Sequence, residues 1–100
     1  MLDVRLLFGL YCFGGIMHNI NEEVAVVSSF DPSDGRYMPW RVKWKSREYN
    51  TKSIAAVIPH WEDNHLHHQF TIYDGTQYLK LDLDTSTLRW RLLSITKQFI

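Results

Sequence analysis

Thr71-Ile72-Tyr73-Asp74-Gly75-Thr76-Gln77-Tyr78-Leu79 sets an Asp-Gly pair between two runs in which apolar and polar residues alternate. Alternation with a period of two is the pattern of a half-buried β-strand. Asp-Gly is a strong hairpin signal, because a type I′ turn needs positive φ at both central residues. A two-residue turn at Asp74-Gly75 predicts that Tyr73 faces Thr76, Phe70 faces Leu79, His68 faces Leu81 and Leu66 faces Leu83. Apolar residues then meet mostly apolar residues on one face, as a sheet with one buried side requires.

The same pattern extends outward from this hairpin. Val24 to Phe30 reads as a first strand, closed by the turn chemistry of Asp31-Pro32-Ser33-Asp34-Gly35. Tyr37 to Lys45 is a second, with Trp40, Val42 and Trp44 on one face and Arg41, Lys43 and Lys45 on the other. Ser46-Arg47 is a tight turn, placing Lys45 opposite Glu48. Glu48 to Ile58 is a third strand. Its phase blurs across Ser53-Ile54-Ala55-Ala56-Val57-Ile58, which signals a bulge or burial on both faces. Leu66 to Tyr73, Gln77 to Leu83 and Leu88 to Ile95 complete six strands, the last hairpin pairing Leu83 with Leu88 and Leu81 with Trp90. A short helical turn is allowed around Thr96 to Ile100.

The expectation is an all-β fold: about six antiparallel strands in meander order, curled into a small barrel or half-barrel that covers its own apolar face. The predicted inward set is Trp40, Val42, Trp44, Tyr49, Phe70, Ile72, Leu79, Leu81, Leu83, Leu88, Trp90 and Leu92. One hundred residues fit a single domain. Four Trp, five Tyr and five Phe help so small a core bury enough surface.

Residues 1–16 stand apart. Leu6 to Ile16 is apolar but too short to span a bilayer, and no membrane association is expected from it. It reads as an extension ahead of a domain at 17–100, from a start codon placed too far upstream. A packed helix or strand, and a signal or anchor, are the other readings. Cys12 is the single cysteine, which excludes a disulfide framework and fits a reducing cytoplasm. Among Leu, Tyr and Phe it reads as an apolar filler rather than a nucleophile.

Lys and Arg balance Asp and Glu at 11 each, so no global field draws the chain to nucleic acid or membrane. Three constellations remain. His60, His65, His67 and His68 cluster, and the predicted register sets His67 against Asp82 and His65 against Asp84. His65, His67, Asp82 and Asp84 have the ligand types of a divalent-metal site. Ordinary cross-strand His–Asp pairing is the plainer reading, and no cofactor is expected. His68 has core-facing parity. An Asp82–Arg89 pair follows from the same register.

The second constellation is basic. Arg41, Lys43, Lys45, Lys52, Arg89 and Arg91 fall on outward positions, and small β-barrels track nucleic-acid backbones with such faces. Outward Arg and Lys also keep any wet strand face soluble. The third is an absence: no phosphate loop, nucleophile elbow or Cys/His/Asn set appears, so no enzyme is expected.

Ile20-Asn21-Glu22-Glu23-Val24, Pro39, Trp44-Lys45-Ser46-Arg47-Glu48-Tyr49, Trp61, Phe70, Tyr78-Leu79-Lys80-Leu81-Asp82 and Trp90-Arg91-Leu92 together resemble a small bacterial family of all-β domains of unknown function. The resemblance covers roughly residues 20–95. Some members of that family stand alone, and others adjoin or end proteins similar to lesion-bypass polymerases, which implies an accessory role near DNA repair. The family's turn is usually Gly-Arg, where this chain has Ser46-Arg47, and no catalytic residue is carried over. The expected function is a non-enzymatic binding or adaptor domain with a protein partner. The alternative is a nucleic-acid-binding module using the six basic residues above. Oligomeric state is not readable from the pattern.

Overall fold

The computed structural model describes residues 15–98. Their regular structure is entirely β, in seven strands: β1 (Gly15–Asp31), β2 (Arg36–Trp44), β3 (Arg47–Asn50), β4 (Ser53–Glu62), β5 (His65–Tyr73), β6 (Gln77–Asp84) and β7 (Arg89–Gln98). One antiparallel sheet runs in the order β3-β2-β1-β7-β6-β5-β4. The all-β meander holds, and the sheet is an open half-barrel, with β3 and β4 as its two edges. Among the described residues no helix is long and apolar enough to cross a membrane.

The strand count rises because the predicted third strand divides. β3 and β4 run in the same direction and are separated only by Thr51 and Lys52. The Thr51 N–H donates to the Trp40 carbonyl on β2 (2.9 Å), and the Lys52 N–H donates to the Tyr73 carbonyl on β5 (2.8 Å). One stretch of chain, bent at Thr51–Lys52, therefore pairs with β2 through its first part and with β5 through its second. The corner draws the two edges of the sheet together, which is what curls it. The blurred phase at 53–58 marks this change of partner. Ala55 is the additional residue, since Ile54 faces Ile72 while Ala56 faces Thr71.

Every predicted hairpin register is displaced by two residues. Ile72 faces Leu79 and Phe70 faces Leu81, so Tyr73 pairs with Tyr78 rather than Thr76. Leu83 faces Trp90 and Asp84 faces Arg89. Trp44 faces Arg47 and Lys43 faces Glu48. The Asp-Gly hairpin fails to form its two-residue turn for an identifiable reason. Only Gly75 has positive φ (109°) there, while Asp74 accepts from the amides of Thr76 and Gln77, both at 2.9 Å. That wider loop also brings the Tyr73 and Tyr78 rings to 4.9 Å, an aromatic cross-strand pair. The two-residue turn with both φ positive is at Asp63 (51°) and Asn64 (64°) instead.

A shift of two leaves each side chain on its own face. The core accordingly matches most of the predicted inward set: Val42, Tyr49, Phe70, Ile72, Leu79, Leu81, Leu83, Trp90 and Leu92 are buried, joined by Ile95. Complete burial of one such aliphatic side chain is worth about 1.5–3 kcal/mol. Trp44 is only half-buried, its indole N–H donating to Glu22 Oε1 at 3.1 Å. Two members of the set are corrected outright. Leu88 sits in the last turn at φ 60° and is 54% exposed. Trp40 is 49% exposed, because it is the additional residue of a bulge: Arg41 faces Val27 but Pro39 faces Ser28.

At the chain ends, β1 begins well before Val24. Gly15 and Ile16 pair with Gln98 and Lys97, so the sheet starts ahead of Met17. The remainder of the apolar extension, including Cys12, lies outside the described residues. Thr96 to Gln98 continue β7 rather than turning into a helix, and Phe99 and Ile100 also lie outside.

Candidate functional site: the open side of the half-barrel

β3 covers β2 only from Arg41 to Trp44. Among the described residues, the stretch Arg36–Pro39 of β2, beyond the Thr51–Lys52 corner, has no strand on its outer side, and β4 has none on the side away from β5. The two free edges stand across an open groove of about 690 Å³. Its floor is Phe70 and His68 from β5 with Ile54 from β4. Tyr37, Met38 and Trp40 form one wall, and Val57 and Pro59 the other.

Local sequence builds each wall. The bulge at Trp40 shifts the phase of β2, so the buried positions step from Val42 to Pro39 rather than by two. Trp40 turns to the rim, where its indole N–H donates to Ser29 Oγ at 2.9 Å. Phe30 stacks at a tilt on Tyr37, ring centroids 4.8 Å apart, and is itself 51% exposed. On β4, Val57 and Ile58 are 45% and 55% exposed on opposite faces, and Trp61 is 67% exposed. Apolar residues of both parities that no described residue covers are unusual on a monomeric edge strand.

Polar groups gather at one end of the groove, where Asp31, Asp34 and Arg36 line it. Asp31 accepts from Ser33 Oγ (2.7 Å) and from the Ser33 N–H (2.9 Å), and these bonds hold its carboxyl below the ordinary carboxylate range. His68 keeps its predicted inward parity, half-buried with its ring 6.4 Å from that of Phe70. The groove was missed in the sequence because Trp40 alternates correctly with Val42 and Trp44. The available signals were Pro39, which interrupts main-chain pairing just before Trp40, and the unphased apolar run at 53–58.

The predicted metal residues divide. His67 Nδ1 lies 2.7 Å from Asp82 Oδ2, a diagonal contact, because the residue directly opposite His67 is Asp84. The hydrogen bond that the Asp82 carboxylate accepts from the ring raises the His67 pKa. Burial opposes it, and the charges of Asp82, Asp84 and Glu62 reinforce it. His65 faces Glu62 across the hairpin rather than Asp84. Asp84 is occupied at the last turn, accepting from Ser86 Oγ (2.7 Å) and N–H (2.9 Å). Among the described residues no three His, Cys, Asp or Glu side chains already converge on one point.

The six basic residues are spread over β2, the β2–β3 turn, the corner and β7, and most have local partners. Arg41 donates to Asn50 Oδ1 (3.2 Å), and Lys43 faces Glu48. Lys45 Nζ lies 4.9 Å from the Trp44 ring centroid. The Lys52 stem runs across Gly75. The predicted Asp82–Arg89 pair does not form: Arg91 is the residue opposite Asp82, and Arg89 Nη1 reaches Glu23 Oε1 at 3.7 Å. Arg91 donates to Asn21 through Nε (3.0 Å) and Nη2 (2.6 Å). No family model, curated protein or solved structure matches this chain.

Proposed function

We propose that this domain is a non-enzymatic binding module that captures an extended segment of a partner protein in the groove between β2 and β4. The observation that supports it is the pair of unpaired strand edges facing each other across an apolar floor. A peptide laid there as a strand finds main-chain donors and acceptors on the edges and side-chain contacts on Phe70, Tyr37 and Ile54. Alternate residues of the guest point into the groove, so the preferred sequence alternates an apolar or aromatic residue with a polar one. Backbone tracking of nucleic acid is the weaker reading, because the basic residues are dispersed and largely engaged with neighbours of their own.

Panning a phage-displayed library of short random peptides on the full chain tests the proposal. Enrichment of alternating apolar sequences is expected, with binding abolished by Trp40→Ala together with Val57→Lys. N-methylation of alternate peptide bonds in a recovered peptide should also abolish binding, since it removes main-chain donors. Recovered peptides that bind the double variant as well as wild type would reject the groove as the site. Fluorescence anisotropy with single- and double-stranded oligonucleotides at two salt concentrations measures the competing reading. Tight binding that collapses with salt would favour it.

A further inference from the structure

The face opposite the groove carries a second constellation, at the tip of the β4–β5 hairpin. The two-residue turn at Asp63-Asn64 sets Glu62 directly opposite His65 and His60 directly opposite His67. Opposed residues of an antiparallel pair share a face, and so do residues two apart. His60, Glu62, His65 and His67 therefore form one patch on the outer face. Glu62, His65 and His67 line a common cleft of about 400 Å³, with Asp82 behind them on β6.

Asp82 gives this patch its chemistry. Its carboxylate engages Nδ1 of His67, and the two side chains are only 10% and 14% exposed. The imidazole is thereby held in one orientation, with Nε2 as its remaining nitrogen. A histidine that gives one nitrogen to a carboxylate and offers the other is the usual arrangement of a metal-ligating imidazole and its supporting partner. Asp82 thus belongs behind the histidine, and Asp84, taken up by Ser86, stands outside the set.

We propose that the outer face of the β4–β5 hairpin binds a divalent transition metal through His67 Nε2, His65 and Glu62, with Asp82 holding His67 in place. Two imidazoles and one carboxylate suit zinc and disfavour magnesium or calcium, which take oxygen ligands. Nitrogen donors on one tetrahedral zinc stand roughly 3.4 Å apart, given bonds of about 2.0–2.1 Å. Glu62 and His65 are directly opposed, with Cβ atoms about 4.5–5.5 Å apart. His65 and His67 stand two residues apart on one strand, about 6.5–7 Å at about 3.3 Å per residue. Rotation of these long side chains over the shared face therefore brings the three donors to one ion. Glu62 has room to rotate: its side chain is 63% exposed, with Oε1 3.8 Å from His60 Nε2. His65 is exposed as well. One position on the metal is left for water or for His60.

Isothermal titration of the full chain with zinc chloride, with cobalt(II) absorption as a geometric readout, tests this. Saturable one-to-one binding and the intense visible bands of tetrahedral cobalt are expected. His67→Ala should abolish both, and Asp82→Asn should weaken binding about 10–100-fold, as loss of a supporting partner does. Asp84→Asn should leave affinity unchanged. His65→Ala with Glu62→Gln, both at exposed positions, provides a second loss variant whose fold is checked by circular dichroism. Absence of saturable binding to the wild type would overturn the proposal. So would affinity undiminished in His67→Ala or in the folded double variant.

Discussion

Replacing Asp74 by Ala should cost about 2 kcal/mol at neutral pH, and the cost should fade in acid. The Asp74 carboxylate accepts four hydrogen bonds: from the amides of Thr76 and Gln77, each at 2.9 Å, from Thr76 Oγ1 at 3.1 Å and from Gln77 Nε2 at 3.0 Å. Hydrogen bonds to a charged group contribute about 1.5–3 kcal/mol each when water cannot replace them. Thr76 is exposed and Gln77 half-buried, so water recovers most of the two bonds from Thr76 and part of those from Gln77. About 2 kcal/mol remains, or roughly 1–2 M in the urea midpoint at a slope of about 1–2 kcal/mol/M. Partial burial pushes the Asp74 pKa up, but the hydrogen bonds outweigh it and the net shift is downward. A carboxyl whose pKa is lower in the folded chain stabilises it above the unfolded value of about 3.9. That contribution is lost as pH falls through the folded pKa. Urea unfolding of wild type and Asp74→Ala at several pH values from 7 down to 3 should show the gap narrowing below pH 4. A gap under 0.5 kcal/mol at pH 7, or one that stays constant into acid, would refute the reasoning.

Three further outcomes follow from burial and edge geometry. Leu81→Ala removes a fully buried side chain at the centre of the core and should destabilise the fold by about 2–5 kcal/mol in the same assay. Thr51 Oγ1 is buried at the corner with no hydrogen-bond partner among the described residues, so Thr51→Val should be neutral or stabilise by up to about 1 kcal/mol. A loss above 1 kcal/mol there would mean that the hydroxyl is satisfied in solution. Val57→Lys places a charge on the free β4 edge at a half-exposed site, and should change stability by no more than about 0.5 kcal/mol while abolishing peptide capture.

The core was legible in the sequence because period-two alternation assigns faces without reference to pairing. Phe70, Ile72, Leu79, Leu81, Leu83 and Leu92 point inward in every register that keeps parity. Register depends on turns, and here one local device was read as another. Asp31-Pro32-Ser33, Asp74-Gly75-Thr76 and Asp84-Thr85-Ser86 share a pattern in which the Asp carboxylate accepts the amide of the Ser or Thr two residues on. Such side-chain turns open a wider loop than a two-residue hairpin turn. The Gly in Asp74-Gly75 made that loop resemble a type I′ turn, while Asp63-Asn64, with no glycine, adopts positive φ at both residues. Asn and Asp tolerate that conformation through their short polar side chains. Reading Asp74-Gly75 as a two-residue turn moves the β5–β6 register by two residues, which is why His67 reaches Asp82 on a diagonal instead of straight across.

The groove was hidden for a different reason: it arises from a change of partner, and alternation is blind to partners. From Glu48 to Ile58 the chain is strand on both sides of the bend at Thr51–Lys52, so the pattern reads as a single strand. What divides it is that Thr51 and Lys52 donate to strands from opposite ends of the sheet, β2 and β5. A meander of seven strands in this order must curl to bring its edges within two residues of each other. Closure all the way along would then leave no free edge. It is prevented because β3 covers β2 only from Arg41 to Trp44, and the bulge at Trp40 turns the rest of β2 out of phase with it. The same bulge moves a tryptophan from the expected core to the groove rim. A barrel that had only to be stable would gain by pairing those edges, since unpaired edges invite association. Their persistence opposite one another, over an apolar floor, is the feature that the peptide-capture reading explains.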